Sequence, residues 1–217
     1  MDEYLSEKEQ LERLREWWRE NGWYLVAGAA LGAVALFGFR QYQNYVEARA
    51  EAAAALYLDL QDVLEDDDRT AAEALLAELR EEHPGSPYTD QAGMLIAGYY
   101  LSTEPSRAAD ELRFVMERTD DSDLGRIARL RLARVLMYQD RHEEALSLLD
   151  VADLGPFTAQ YSEARGDAHY ALGNTDAARA AYEEALRAPG SEWVNRTFVE
   201  MKLDSLEVDD DTAETGT

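Results

Sequence analysis

An uninterrupted apolar segment near the N-terminus dominates the hydrophobic pattern of the chain. Residues 22–39 form an eighteen-residue stretch without a charged side chain, rich in Ala, Leu, Val, Gly and Phe. As a helix it would be roughly 27 Å long, close to the hydrocarbon core of a bilayer, which is about 30 Å thick. Aromatic residues flank it, from Trp17 to Tyr24 and from Phe37 to Tyr45, where amphipathic rings prefer the membrane interface. The pattern predicts one transmembrane helix over residues 22–39.

Two alternatives compete with a membrane anchor. A cleaved secretory signal would carry a net positive leader, a shorter apolar stretch and a small-residue cleavage site after it. Residues 1–21 instead carry four basic and seven acidic side chains, and the best small triplet, residues 33–35, lies inside the apolar stretch. A buried core helix of a soluble protein usually shows a polar stripe, and this segment shows none. We therefore expect the segment to remain in the membrane.

The basic residues near the ends of the span predict its orientation, because the cytoplasmic side of a membrane protein carries an excess of Lys and Arg. Asp and Glu contribute little to this bias. Four basic residues precede the span, whereas Arg40 and Arg49 follow it. This bias places residues 1–21 in the cytoplasm, as a short amphipathic leader whose helix would stop at Asn21 and Gly22. The larger domain is expected in the periplasm or outside.

Two glycines inside the span are candidates for contact with another helix. Gly28 and Gly32 form a small-xxx-small pair, which allows a second helix backbone to approach closely. The alternative is that glycine is simply common in membrane helices.

Helical periodicity continues after the span. Residues 40–64 keep an Ala-rich apolar face and end in the acidic residues 65–68, and further helices are predicted over about 70–82 and through 94–101. No stretch alternates cleanly between apolar and polar side chains, and β-branched residues are sparse. The chain is therefore predicted to be all-α, with a helical domain over residues 40–206 and a disordered acidic tail over 207–217.

An internal repeat of 33 residues indicates the architecture of this domain. The aligned pairs are Ala133 with Gly166, Ala145 with Ala178, Leu149 with Tyr182, Ala152 with Ala185, and Pro156 with Pro189. Small residues, an aromatic residue and a closing proline at these spacings are typical of tetratricopeptide repeats, whose small residues let the two helices of a hairpin approach each other. A third unit is predicted from Tyr88 to Met116, an atypical first pair over 40–82, and a capping helix over 193–206. The fold class is thus a transmembrane helix followed by a tetratricopeptide-like helical-hairpin solenoid.

The first helices of stacked hairpins usually line a concave, protein-binding surface. Placing the repeats in register predicts eight residues on that surface: Ile127, Leu130, Arg134, Met137, Tyr138, Glu163, Asp167 and Tyr170. A mixed apolar and acidic groove suits amphipathic or basic segments. The alternative for any one of these residues is packing between hairpins.

Composition excludes several classes of function. The net charge of −24 and the pI near 4.3 exclude nucleic acid as a partner, because it would be repelled. A saline setting would screen this charge, so a halophilic source is one hypothesis, and a melting temperature that did not rise with added salt would count against it. The chain has no cysteine and three histidines, and no nucleophile elbow, phosphate-binding loop or zinc motif is present. We expect no catalytic site, metal or cofactor.

Five stretches carry a resemblance to a known family: residues 10–14, 20–22, 130–135, 165–167 and 201–203. Together with the Gly-rich span, they resemble the YfgM family of ancillary SecYEG translocon subunits over nearly the whole length. The resemblance implies a single-pass protein of the bacterial inner membrane with a periplasmic repeat domain. It also implies association with the SecYEG translocon, cooperation with a PpiD-like chaperone and help for unfolded, newly exported polypeptides. The alternative function is a tetratricopeptide scaffold for another cell-envelope assembly.

Overall fold

The computed structural model describes residues 7–215, with side chains described from 9 to 206, and it contains no strand in that range. Two short 3₁₀ turns lie at Gly155–Phe157 and Ser191–Trp193. The α-helices of the described residues are α1 (Glu7–Glu65), α2 (Arg69–Glu82), α3 (Pro87–Tyr100), α4 (Pro105–Arg118), α5 (Ser122–Tyr138), α6 (His142–Leu149), α7 (Thr158–Ala171), α8 (Thr175–Arg187) and α9 (Arg196–Thr215). The all-α prediction is confirmed.

The chain divides into two compact units, residues 1–52 and 53–217. In the first unit, the predicted helix stop at Asn21 and Gly22 is wrong, because α1 passes through both residues without interruption. The side-chain amide of Asn21 donates to the carbonyl of Trp17 at 3.1 Å, and the Trp18 indole covers Gly22. A glycine destabilises a helix by about 1 kcal/mol relative to alanine, which is small against the backbone hydrogen bonds of so long a helix.

One helix in the described part of the chain, α1, is long and apolar enough to cross a membrane, and 6% of its most apolar window is buried. Trp23 is 75% exposed and Phe37 72% exposed, on either side of the predicted span. A core helix would bury such side chains against protein. The buried-core alternative is therefore wrong for residues 22–39.

In the second unit, each helix from α3 to α9 packs against the next one along the chain, which gives the hairpins α3–α4, α5–α6 and α7–α8 with α9 against α8. The repeat positions predicted between Ala133 and Pro156 and between Gly166 and Pro189 thus fall in the pairs α5–α6 and α7–α8, and the third unit predicted from Tyr88 to Met116 is the pair α3–α4. The capping helix begins at Arg196 instead of residue 193, because a 3₁₀ turn occupies Ser191–Trp193. The backbone of this helix extends to Thr215. The side chains of residues 207–217 lie outside the described part, and the disorder expected for this segment stays a prediction.

Three apolar clusters in succession form the core of this unit. The first joins the end of α1 to α2 and α3 through Leu60, Leu79 and Ile96. The second runs from α3 to α7 and includes Leu132 and Leu136, and the third joins α7, α8 and α9. Each cluster is shared by neighbouring helices, so no hairpin buries its apolar face alone, as in other repeat proteins.

Gly166 and Tyr182 show why small residues recur in the hairpins. Gly166 is buried in α7, and a Cβ atom there would overlap the ring of Tyr182 in α8. The Tyr182 hydroxyl donates to Asp167 at 2.8 Å, which holds the ring across the helix pair. The 33-residue repeat predicts that the two helices of a hairpin approach each other closely, and at this position the absence of a side chain on Gly166 allows α7 and α8 to do so.

Candidate protein-binding groove

A groove of about 670 Å³ runs along the first helices of three successive pairs in the second unit. One wall comes from the end of α1, the floor from α3 and the other wall from α5. The lining residues are Tyr57, Gln61, Leu64 and Glu65 of α1, Gln91, Met94, Leu95, Gly98 and Tyr99 of α3, and Leu124, Ile127 and Arg131 of α5. A mostly apolar cleft with a few polar groups is the ordinary form of a binding site.

The start of α3 fixes the floor of the groove. The Ser86 hydroxyl caps the helix by accepting from the backbone N–H of Tyr88 at 3.3 Å, and Pro87 occupies the first turn, where its missing N–H is not needed. The buried Thr89 hydroxyl lies 2.7 Å from the carbonyl of His83, which ties α3 to the end of α2. The Tyr57 and Tyr88 rings meet at 5.8 Å between α1 and α3. Wall and floor are therefore held together by packing and hydrogen bonds.

Tyr99 links one end of the groove to the loop after α1. Its hydroxyl donates to the Asp67 carboxylate, and this hydrogen bond, followed by burial, raises the pKa of Tyr99. The Arg69 guanidinium lies 5.8 Å from the centre of the Tyr99 ring and bonds Glu104 at 3.2 Å. The phenol therefore stays neutral at physiological pH and orders this end of the groove.

The five predicted groove residues of α5 have different environments. Ile127 lines the groove. Arg134 is exposed, Tyr138 is 70% exposed and Met137 packs against the core. Leu130 is 5% exposed and belongs to the core, so it packs between helices and does not face the groove.

The three predicted groove residues of α7 lie away from this groove, and α9 engages two of them. The Lys202 ammonium of α9 lies 3.0 Å from Glu163 and 2.6 Å from Asp167. Asp167 also accepts from the Tyr182 hydroxyl, whereas Tyr170 is 48% exposed. The acidic character predicted for the groove is therefore neutralised at α7 by a lysine from the capping helix.

Sequence reasoning missed the contribution of α1 and α3 to the groove. The 33-residue spacing is clear only between the α5–α6 and α7–α8 pairs, so the register could not be extended to Tyr57, Met94 or Leu95. A usable signal was present in α1. Tyr57, Gln61 and Leu64 recur at helical spacing on the helix that opens the series of pairs.

Gly28 and Gly32 both face open space, since a Cβ atom at either position would meet nothing within 4 Å. No group of three or more His, Cys, Asp or Glu side chains suited to a metal ion occurs among the described residues. The residues that line the groove offer apolar contact, amide hydrogen bonding and single charges.

Stacked helical hairpins with a groove on their first helices define a helical-repeat scaffold. The model of the tetratricopeptide repeat-like domain family matches residues 15–208, and the chain belongs to that family.

Three relatives share the name Ancillary SecYEG translocon subunit. The protein from Neisseria gonorrhoeae is 27% identical over 208 residues, which cover 95% of this chain and all of the relative. That from Escherichia coli K12 is 27% identical over 212 residues, or 96% of this chain and all of the relative. The protein from Haemophilus influenzae is 26% identical over 203 residues, which cover 93% of this chain and 98% of the relative. These relatives confirm the resemblance drawn from the sequence, and with the exposed apolar helix they indicate a membrane-anchored protein.

Proposed function

We propose that this chain is an ancillary subunit of a Sec translocon that holds a polypeptide-binding repeat domain beside the membrane. One observation supports the binding role above all, an open groove of about 670 Å³ with apolar residues from three helices. The name shared by relatives that align over nearly their whole length supports the choice of the translocon. Newly exported, still unfolded polypeptides are the ligands, because they expose the apolar side chains that such a groove buries.

The proposed topology puts residues 1–21 in the cytoplasm and the repeat domain in the periplasm. The excess of basic residues before the span supports this orientation. In that position the domain receives chains as they leave the translocon and passes them to a membrane-anchored chaperone of the PpiD type. Protease added from the cytosolic side would leave the repeat domain intact in this topology, and digestion of the domain would contradict it.

The proposed contact with the translocon uses the face of α1 that carries Gly28 and Gly32. Both positions are open, so a neighbouring helix can approach the α1 backbone there. Leu25 lies on the same face one turn earlier, and Val34 lies on the opposite face. These two residues provide a matched pair of probe positions.

Site-specific photocrosslinking in cells tests the proposal. A benzoylphenylalanine at Leu25 should form adducts with a translocon subunit, and one at Val34 should form few. The same probe at Leu95, in the groove, should label a stalled exported chain more strongly than one at Leu58, which is exposed on α1 outside the groove. Adducts only with other envelope proteins would instead support a scaffold for a different assembly.

A further inference from the structure

Three arginines of α5 are unusual in this acidic chain. Acidic residues outnumber basic ones by 45 to 21, and most basic side chains of the second unit have a carboxylate partner, such as Arg80 with Glu111 and Arg107 with Glu73. The side chains of Arg129, Arg131 and Arg134 make no ion pair or hydrogen bond with any other described residue. In an excess of carboxylates, three unpaired arginines on one helix indicate that their charges serve something outside the chain.

The three arginines divide between two surfaces of α5. Arg131 lines the groove, and Arg134 follows it by one helical turn on the same face. Arg129 lies in a separate, smaller pocket between the start of α5 and the loop before α7. The groove therefore has a basic wall on α5, and Arg129 provides a reference cation on the same helix outside it.

The opposite wall of the groove carries a negative charge. Glu65 of α1 lines the groove and, like Arg131, makes no ion pair with any other described residue. The floor between the two walls is apolar, with Met94 and Leu95 of α3. At Gly98 the floor is open, since a Cβ atom there would meet nothing within 4 Å, and this space can accept a ligand side chain.

Building on the proposed function, we infer that the groove selects apolar polypeptide segments that carry one basic and one acidic residue on opposite sides of the apolar core. The basic residue would face Glu65 and the acidic residue Arg131, so each charge of the groove gains a partner as the apolar side chains leave water. This is narrower than the amphipathic or basic segments expected from the sequence, because Lys202 already neutralises Glu163 and Asp167. A ligand bearing a single sign of charge would meet repulsion at one wall.

Three labelled peptides test this selectivity with the full chain in lipid nanodiscs, read by fluorescence anisotropy. Each has the apolar core Leu-Phe-Ala-Leu, flanked by Lys and Glu, by two Lys or by two Glu. The Lys/Glu peptide should bind about fivefold more tightly than the other two, which corresponds to roughly 1 kcal/mol, the upper range for an exposed ion pair. The preference should shrink as salt is added, and empty nanodiscs measure binding to lipid.

Charge-reversal variants assign the selectivity to the two walls. Arg131→Glu should weaken binding of the Lys/Glu peptide about fivefold and strengthen binding of the two-Lys peptide. Arg129→Glu should leave the order of the three affinities unchanged. The double variant Glu65→Lys with Arg131→Glu should restore the Lys/Glu peptide, which then binds in the reverse direction. Gly98→Leu fills the floor without changing charge and should weaken all three peptides.

Several results would overturn the inference. These are equal affinity for the three peptides, no saturable binding of any, a ranking that Arg131→Glu leaves unchanged, or an equal response to Arg129→Glu. Circular dichroism of each variant verifies that it is folded. If Leu25 still forms translocon adducts and Leu95 still labels a stalled exported chain, any of these results would contradict only the charge selectivity and leave the proposed function standing.

Discussion

Replacing Gly166 by alanine is the sharpest test of how the hairpins pack. The new methyl group would overlap the Tyr182 ring of the facing helix α8. That ring has little freedom to retreat, because its hydroxyl donates to Asp167 at 2.8 Å and the Lys202 ammonium lies 5.5 Å from its centre. Either the two helices separate or the hydrogen bond breaks, and both changes disturb the core shared by α7, α8 and α9.

The expected magnitude is the difference between two opposing effects. Alanine is favoured over glycine inside a helix by about 1 kcal/mol, whereas overpacking a core costs about 1–3 kcal/mol. Because the overlap at Gly166 is with a restrained ring, we expect the upper part of that range and a net loss of about 1–2 kcal/mol. For a domain of this size, the melting temperature should fall by about 2–8 °C.

Thermal unfolding of the full chain in mild detergent, followed by circular dichroism, measures this effect. Gly98→Ala is the matched control, since Gly98 is also helical but opens into the groove, and its melting temperature should stay level or rise. In a Tyr182→Leu background, Gly166→Ala should lose most of its cost, with a coupling of about 1 kcal/mol. A Gly166→Ala protein that melts at or above the wild-type temperature would refute the packing argument.

Two further predictions concern the same unit. Lys202→Met should lower the free energy of unfolding by about 2 kcal/mol, a value between those of exposed and buried ion pairs, because it leaves the carboxylates of Glu163 and Asp167 facing each other. Adding Glu163→Gln should recover part of this loss in the same thermal assay. Burial raises the pKa of Tyr161 to about 12, so the stability that its neutral phenol contributes is complete below pH 10 and is lost as the pH rises towards 12. Tyr161→Phe should remove part of that alkaline loss and, near neutral pH, cost about 1 kcal/mol, since the hydroxyl donates to the Arg126 carbonyl at 2.7 Å; an unchanged melting profile across alkaline pH would contradict this.

The features that could be predicted from the sequence rest on local or periodic patterns. The apolar helix over residues 22–39 follows from length and composition alone, because eighteen uncharged residues in a helix are about as long as the hydrocarbon core of a bilayer is thick. The helical pairs from α5 to α8 follow from a 33-residue repeat whose small and large residues meet across each hairpin, as Gly166 and Tyr182 do. These patterns need only the geometry of one helix or one hairpin.

What the sequence left undetermined depended on neighbours distant along the chain. The exception is local: Asn21 and Gly22 match the pattern of a helix end, yet Trp18, one turn earlier, covers the glycine and α1 continues. Glu163 and Asp167 read as free acidic groups, and only the packing of α9 brings Lys202 to them. The groove itself needs α1, α3 and α5 side by side. Periodicity determined which residues are helical and which face is apolar, whereas the contacts between helices decided which charges are neutralised and which remain open to a partner.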